Sequence, residues 1–154
     1  IRACQWVGSQ YQGTKVLATI STGQLHAAVM HAAVVMPGST GALVQLGNQA
    51  TYESIATSLT YSQASEWSFI FDVLSHYDLP DLTAALSPLP QLIYDPRDAD
   101  NSPMSPAAAA AAFNFTSTTY AAQGASSNLQ VVPSAAHASP TEPEKVVLKF
   151  LSSL

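Results

Sequence analysis

Cysteine, positive charge and long apolar runs are all scarce in this sequence. Cys4 is the only cysteine, so an internal disulfide and a cysteine-based metal site are both excluded. Charged residues make up 10% of the 154 residues, and the five basic ones stand singly along the chain. Because no basic patch can neutralise phosphates, we expect no nucleic-acid partner. No segment reaches the roughly 20 consecutive apolar residues that a membrane-spanning helix needs, so we expect no membrane span.

Apolar residues, by contrast, make up 47% of the sequence, which carries a net charge of −5. That composition suits strands that are buried on both faces, as in parallel sheets. Short apolar runs at residues 15–20, 32–36, 91–94 and 128–132 predict four strands. Helical patterns alternate with these strands, at residues 1–9, 24–31 and 107–123. A last helix is predicted after a capping box that Thr141 and Glu144 form. The order predicts an α/β fold, a parallel sheet with flanking helices on both faces.

Ser21 is the first candidate for chemistry, because it lies where a predicted strand turns into a predicted helix. A nucleophilic serine occupies such a turn in enzymes that carry the G-x-S-x-G motif, and Gly23 supplies the second glycine of that motif. Thr19 stands where the first glycine is usual. The N–H of Thr22 could stabilise an oxyanion at the start of the helix. The motif alone does not distinguish a nucleophile from a serine that caps a helix.

Asp98 follows the third predicted strand within an acidic loop. The acid of a catalytic triad needs such a position, where its carboxylate can accept a hydrogen bond from the imidazole. Asp95 and Asp100 compete for the same role, and solvated acids in turns are the alternative interpretation of the whole loop.

His137 lies between the last predicted strand and the final helix, among alanines and serines that would let its imidazole approach a serine closely. The other histidines, His26, His31 and His76, fall inside predicted helices without metal-ligand spacing, so we expect no metal site. Each of the three candidates follows a different strand, and the carboxyl ends of parallel strands are where open α/β sheets place their sites. The sequence therefore predicts a catalytic triad.

A longer segment carries a family resemblance. Residues 77–93, which read YDLPDLTAALSPLPQLI, resemble the D-L-P-D-L-x-x-x-L-A-P-R-P-x-L-I segment of bacterial α/β-hydrolases. Those proteins are related to acetyl xylan esterases, dienelactone hydrolases and the catalytic domain of prolyl oligopeptidases. The similarity continues through residues 95–98, through the helix that ends at Gly124 and through residues 128–132, whereas residues 37–75 match only loosely.

The resemblance implies a serine hydrolase that acts on an ester through Ser21, Asp98 and His137 and without a cofactor, and by analogy it suggests a carbohydrate acyl ester as the substrate. It also implies that residues 1–154 form the C-terminal part of one α/β-hydrolase domain, in which residues 37–80 are an irregular insert or lid-like region. The expected partners are then a small-molecule ester and the N-terminal half of the fold, or another chain in its place. Because of Thr19, the alternative is a catalytically inactive binding or scaffold subunit.

Overall fold

A four-stranded, all-parallel sheet organises the protein, whose computed structural model describes residues 2–10, 18–62, 69–133 and 142–154. The strands are β1 (Thr19–Thr22), β2 (Leu43–Leu46), β3 (Gln91–Tyr94) and β4 (Leu129–Val132). Each strand pairs with the next in chain order, in the sequence β1-β2-β3-β4. The predicted α/β fold with a parallel sheet is confirmed, and so are the positions of its third and fourth strands.

Helices fill the connections between strands, as a parallel sheet requires. The described α-helices, of which the first precedes β1 and the last follows β4, are in chain order α1 (Arg2–Gln10), α2 (His26–Val35), α3 (Tyr52–Thr57), α4 (Leu79–Ala85), α5 (Pro106–Ala112), α6 (Asn114–Ala122) and α7 (Glu142–Leu151). The predicted single helix over residues 107–123 is therefore two helices, which meet at the buried Phe113. None of the described helices is both long enough and apolar enough to cross a bilayer.

The prediction of a strand at residues 32–36 is wrong, because residues up to Val35 belong to α2. A short apolar run before Pro37 and Gly38 is compatible with either structure. The helix is favoured over a strand because it buries Ala27, Met30 and Ala33 together on one face, at helical spacing. The second strand is instead β2, which lies inside the segment 37–80 that the sequence predicted to be irregular.

The two faces of the sheet are covered by different helices. On one face, Leu43 of β2 packs in a cluster with residues of α2 and α4, and Ile93 of β3 packs with residues of α5 and with Phe113. On the other face, Val44 and Leu92 pack with Phe150 of α7. Helices therefore flank both faces, as predicted, and α2, α3, α4 and α5 pack on the face opposite α7.

Asp78 fixes the entry of the chain into α4 and joins that helix to α3. Its side chain and that of Asp81 form a capping box, and Pro80 occupies the first turn, where its missing N–H costs nothing. The same carboxylate accepts hydrogen bonds from the backbone N–H groups of Tyr52 and Glu53. This D-L-P-D-L segment thereby holds the helices that lead into β3.

Candidate functional site

Because all four strands are parallel, their carboxyl ends meet at one edge of the sheet, which we call the carboxyl edge. Ser21 lies near the end of β1, and Asn48 follows β2 by two residues. Asp95 comes directly after β3, and β4 ends at Val132, five residues before His137 in the sequence. Open α/β sheets place their ligand and catalytic sites at this edge.

Ser21 is a buried residue of β1, only 3% exposed. Its hydroxyl donates to the backbone carbonyl of Val44 at 3.4 Å and accepts from the side-chain amide of Asn48 at 3.3 Å. The left-handed backbone of the following turn belongs to Gly23, with φ of +53°. The turn predicted at Ser21 therefore comes two residues later, at Gly23. The Ser21 hydroxyl is buried within β1 and is not exposed above the end of the strand, as a nucleophile elbow would expose it.

Thr22, the predicted oxyanion-binding residue, is exposed at the end of β1. The N–H of Thr19 donates to the carbonyl of Ala42 on the β2 side. Since N–H groups along one strand point alternately to its two sides, the N–H of Thr22 faces away from β2. It is thus not used by the β1–β2 ladder.

Asp98, the predicted triad acid, is exposed on the loop after β3. Its carboxylate accepts a hydrogen bond from the N–H of Ala99 at 2.8 Å, in the manner of a turn-forming aspartate. It lines a cleft of about 620 Å³ against α3, together with Thr51, Ser54 and Met104. No described hydrogen bond joins Asp98 to Ser21.

Asp95 is buried, at 6% exposure, although the sequence made it only a competitor for the acid role. Its backbone is left-handed, with φ of +55°, and its N–H donates to the carbonyl of Val132 at 2.8 Å. One carboxylate oxygen, Oδ2, pairs with the Arg97 guanidinium. The other, Oδ1, is buried and has no hydrogen-bond partner among the described residues.

His137 lies outside the described residues, so its predicted contacts with Ser21 and Asp98 remain predictions. The strand that precedes it in the chain, β4, ends at Val132, the residue that accepts the hydrogen bond from Asp95. Val132, five residues before His137, therefore lies beside Asp95.

His26 is a buried histidine close to the same edge, 1% exposed at the start of α2. Its Nδ1 lies 2.9 Å from the carbonyl oxygen of Gly23. Burial lowers the pKa of His26 below 6.5, while the backbone groups of Gly23 and Gln49 act in the opposite direction with smaller effect. A neutral imidazole at neutral pH follows. Across the described ranges, no group of three or more potential ligands is arranged to hold a metal ion.

Buried polar atoms without partners concentrate near the carboxyl edge. Six such side-chain atoms occur in the described part of the chain, and three of them belong to Gln45, Asn48 and Asp95. Buried polar groups in folded proteins are almost always hydrogen-bonded, so an unpaired set calls for an explanation such as a functional site. Sequence reasoning missed Asn48. The signal for it was the Gly47-Asn48 pair that ends the apolar run of β2.

Comparisons of the chain with protein-family models, with curated proteins and with solved structures give no significant match. The fold is therefore established by the sheet itself, and the function has to be argued from the residues at its carboxyl edge.

Proposed function

We propose that this protein is a serine hydrolase of the α/β-hydrolase type that cleaves a carboxylic ester. Ser21 is the nucleophile, His137 is the general base, and a carboxylate of the loop after β3, for which the sequence nominates Asp98, orients the imidazole. The observation that carries the proposal is that Ser21, the acidic loop and the end of β4, five residues before His137, all lie at the carboxyl edge of one parallel sheet.

In the reaction, the Ser21 oxygen attacks the carbonyl carbon of the ester while its proton passes to His137. The carbonyl oxygen becomes an oxyanion, which the N–H of Thr22 stabilises. The tetrahedral intermediate collapses, and the leaving alcohol takes the proton from His137. Water then attacks the carbonyl carbon of the acyl-enzyme and gives a proton to His137. The bond to Ser21 breaks, the Ser21 oxygen takes that proton back, and the acid is released, so no cofactor is needed. A carbohydrate acyl ester is the substrate that the family resemblance suggests.

Asn48 affects the state of the nucleophile. Its amide donates to the Ser21 hydroxyl oxygen, which keeps the hydroxyl proton available to a base. The contact from that hydroxyl to the Val44 carbonyl is long, at 3.4 Å, and therefore weak. Transfer of the proton to His137 requires the hydroxyl to leave Val44, and the weakness of that bond makes the rearrangement inexpensive.

The test is covalent labelling of the protein with a fluorophosphonate, which reacts with activated serines. We expect labelling of the unmodified protein and its loss in Ser21→Ala. The matched control is Ser127→Ala, because Ser127 is exposed in the turn before β4, at the opposite edge of the sheet. Labelling that survives Ser21→Ala would refute the assignment of the nucleophile.

A second candidate function is a non-catalytic, hydrolase-like binding protein. The burial of Ser21 and its place within β1 favour this candidate, since a working nucleophile elbow exposes its serine. The same experiment separates the two. A folded protein that neither reacts with the fluorophosphonate nor hydrolyses p-nitrophenyl acetate supports the binding protein and contradicts the hydrolase.

A further inference from the structure

We infer that an apolar surface beside α3 binds an amphipathic segment of a partner protein, one whose apolar side chains are flanked by lysine or arginine. The inference does not depend on the proposed hydrolase, because it uses neither Ser21 nor the acidic loop after β3.

A concentration of exposed apolar side chains is the first observation. Six of the thirteen large apolar side chains that are exposed in the described part of the chain lie within residues 59–74. Single exposed apolar side chains are ordinary, whereas a contiguous group marks an interaction surface. The rings of Tyr61 and Phe69 join the group, edge to face, with 5.6 Å between their centroids. We call the group the aromatic patch, and its members are Leu59, Tyr61, Phe69, Ile70, Phe71 and Leu74.

A groove of about 270 Å³ in this surface is the second observation. Phe69, Ile70 and Leu74 of the aromatic patch border it. Ile55 and Val73 also line it, and both belong to the buried cluster beneath α3. A groove with such walls can anchor an apolar side chain but offers little to orient a polar ligand. An amphipathic helix that lays its apolar face into a groove makes contacts of this kind.

The backbone of Asp72 is the third observation. It is left-handed, with φ of +58°, which is uncommon for a residue other than glycine. The turn at Asp72 separates Phe71, which is 99% exposed, from Val73, which is 8% exposed and part of the core. The Ser75 hydroxyl donates to the Asp72 carboxylate at 2.6 Å and holds the turn. The exposure of Phe71 is therefore imposed by a defined turn.

Charge decides the kind of partner. No lysine or arginine occurs between Lys15 and Arg97 in the sequence. The carboxylate of Asp72 lies within the aromatic patch, and Glu53 is exposed on α3. Apolar surface next to negative charge is complementary to apolar side chains next to positive charge. A second copy of the chain, with its own net charge of −5, would bring like charges together, and an anionic lipid surface would be repelled.

The experiment measures fluorescence anisotropy of a dye-labelled model helix of about 18 residues, or five turns, with leucine on one face and lysine on the other. We expect this peptide to bind, and the same peptide with glutamate in place of lysine not to bind. Phe71→Ser and Leu74→Ser should raise Kd by about tenfold or more, as central interface contacts do. The matched controls are Phe115→Ser and Leu148→Ser, at exposed apolar positions of α6 and α7, which should leave Kd nearly unchanged.

Asp72→Asn tests the charge separately from the turn. Asparagine adopts the left-handed conformation as readily as aspartate, so the backbone is kept while the charge is removed. We expect Kd to rise by about two- to fivefold and to depend less on salt.

Four results would overturn the inference. They are no binding of the lysine peptide, equal binding of the glutamate peptide, an unchanged Kd in both Phe71→Ser and Leu74→Ser, and a different occupant of the surface. A second copy would show as a dimer in sedimentation of the protein alone that Phe71→Ser abolishes. A lipid surface would show as binding to phosphatidylcholine vesicles that the same substitution abolishes. Circular dichroism of each variant confirms that a loss of binding is not a loss of folding.

Discussion

Tyr120 offers a sharp test of how the helices are attached to the sheet. Its ring is fully buried on α6, and its hydroxyl donates to the carbonyl of Leu89 at 2.7 Å. The same hydroxyl accepts from the side-chain amide of Gln91, the first residue of β3, at 2.5 Å. Burial raises the pKa of Tyr120, and the hydrogen bond from Gln91 lowers that pKa by a smaller amount. The hydroxyl therefore stays protonated across the neutral range. Tyr120→Phe removes this hydroxyl and keeps the ring.

The expected cost follows from which partners are left unpaired. Packing is retained, because Phe fills the same volume apart from one oxygen. The Gln91 amide keeps its second acceptor, the carbonyl of Thr83, at 2.8 Å. The partly buried Leu89 carbonyl loses its donor and one Gln91 N–H loses its acceptor, so we expect a loss of about 2 kcal/mol in the free energy of unfolding, within the roughly 1–3 kcal/mol that an unsatisfied buried group costs. In a protein of this size that lowers Tm by about 4–8 °C.

Urea unfolding monitored by circular dichroism measures the effect, and Thr118→Val is the matched control. Thr118 lies on the same helix, and its exposed hydroxyl bonds only to the carbonyl of Asn114, one turn earlier. We expect the control to change stability by less than about 0.5 kcal/mol. The reasoning is refuted if Tyr120→Phe costs no more than Thr118→Val while the slope of the transition is unchanged.

Two further predictions concern α2. Met30→Ala removes a side chain that is 1% exposed and should lower the free energy of unfolding in urea by about 2–5 kcal/mol. Val35→Ala, at a 68% exposed position of the same helix, should lower it far less. Equal losses would contradict the described core. Because the pKa of His26 is lowered in the fold, the unfolded chain binds the extra proton first, and stability should fall as pH decreases below about 6.5. His26→Gln should flatten that dependence, the exposed His76→Gln should not, and an unchanged pH profile in His26→Gln would count against the buried neutral ring.

Much of the fold could be predicted from local sequence. The apolar run of β3 lies between Pro90 and an acidic loop, and its predicted bounds coincide with the observed strand. The alternation of apolar runs with helical patterns was enough to predict parallel strands and helices on both faces. These signals are local, because capping residues, prolines and the period of apolar positions act on the few residues around them.

The helix at residues 32–35 shows where local signals end. Its residues are apolar on every side, so no periodicity in the sequence distinguishes the helix from a buried strand. β2 was missed for a related reason, since Gln45 interrupts its apolar run. Only the pairing of Gln45 with Ser21 and Ile93 on the neighbouring strands makes that residue part of a sheet.

Some features of the candidate site could likewise be predicted from the sequence, and others depend on the tertiary structure. Chain order and strand ends were sufficient to nominate Ser21 and an aspartate of the loop after β3, because the carboxyl edge of a parallel sheet follows from topology alone. Local sequence could not show that Asp95 is buried while Asp98 is exposed, nor that Asn48 reaches the Ser21 hydroxyl. Those features depend on Val132, 37 residues beyond Asp95, and on Asn48, 27 residues beyond Ser21. Burial and hydrogen bonding between such distant segments arise only when the sheet assembles, so the tertiary structure alone decides them.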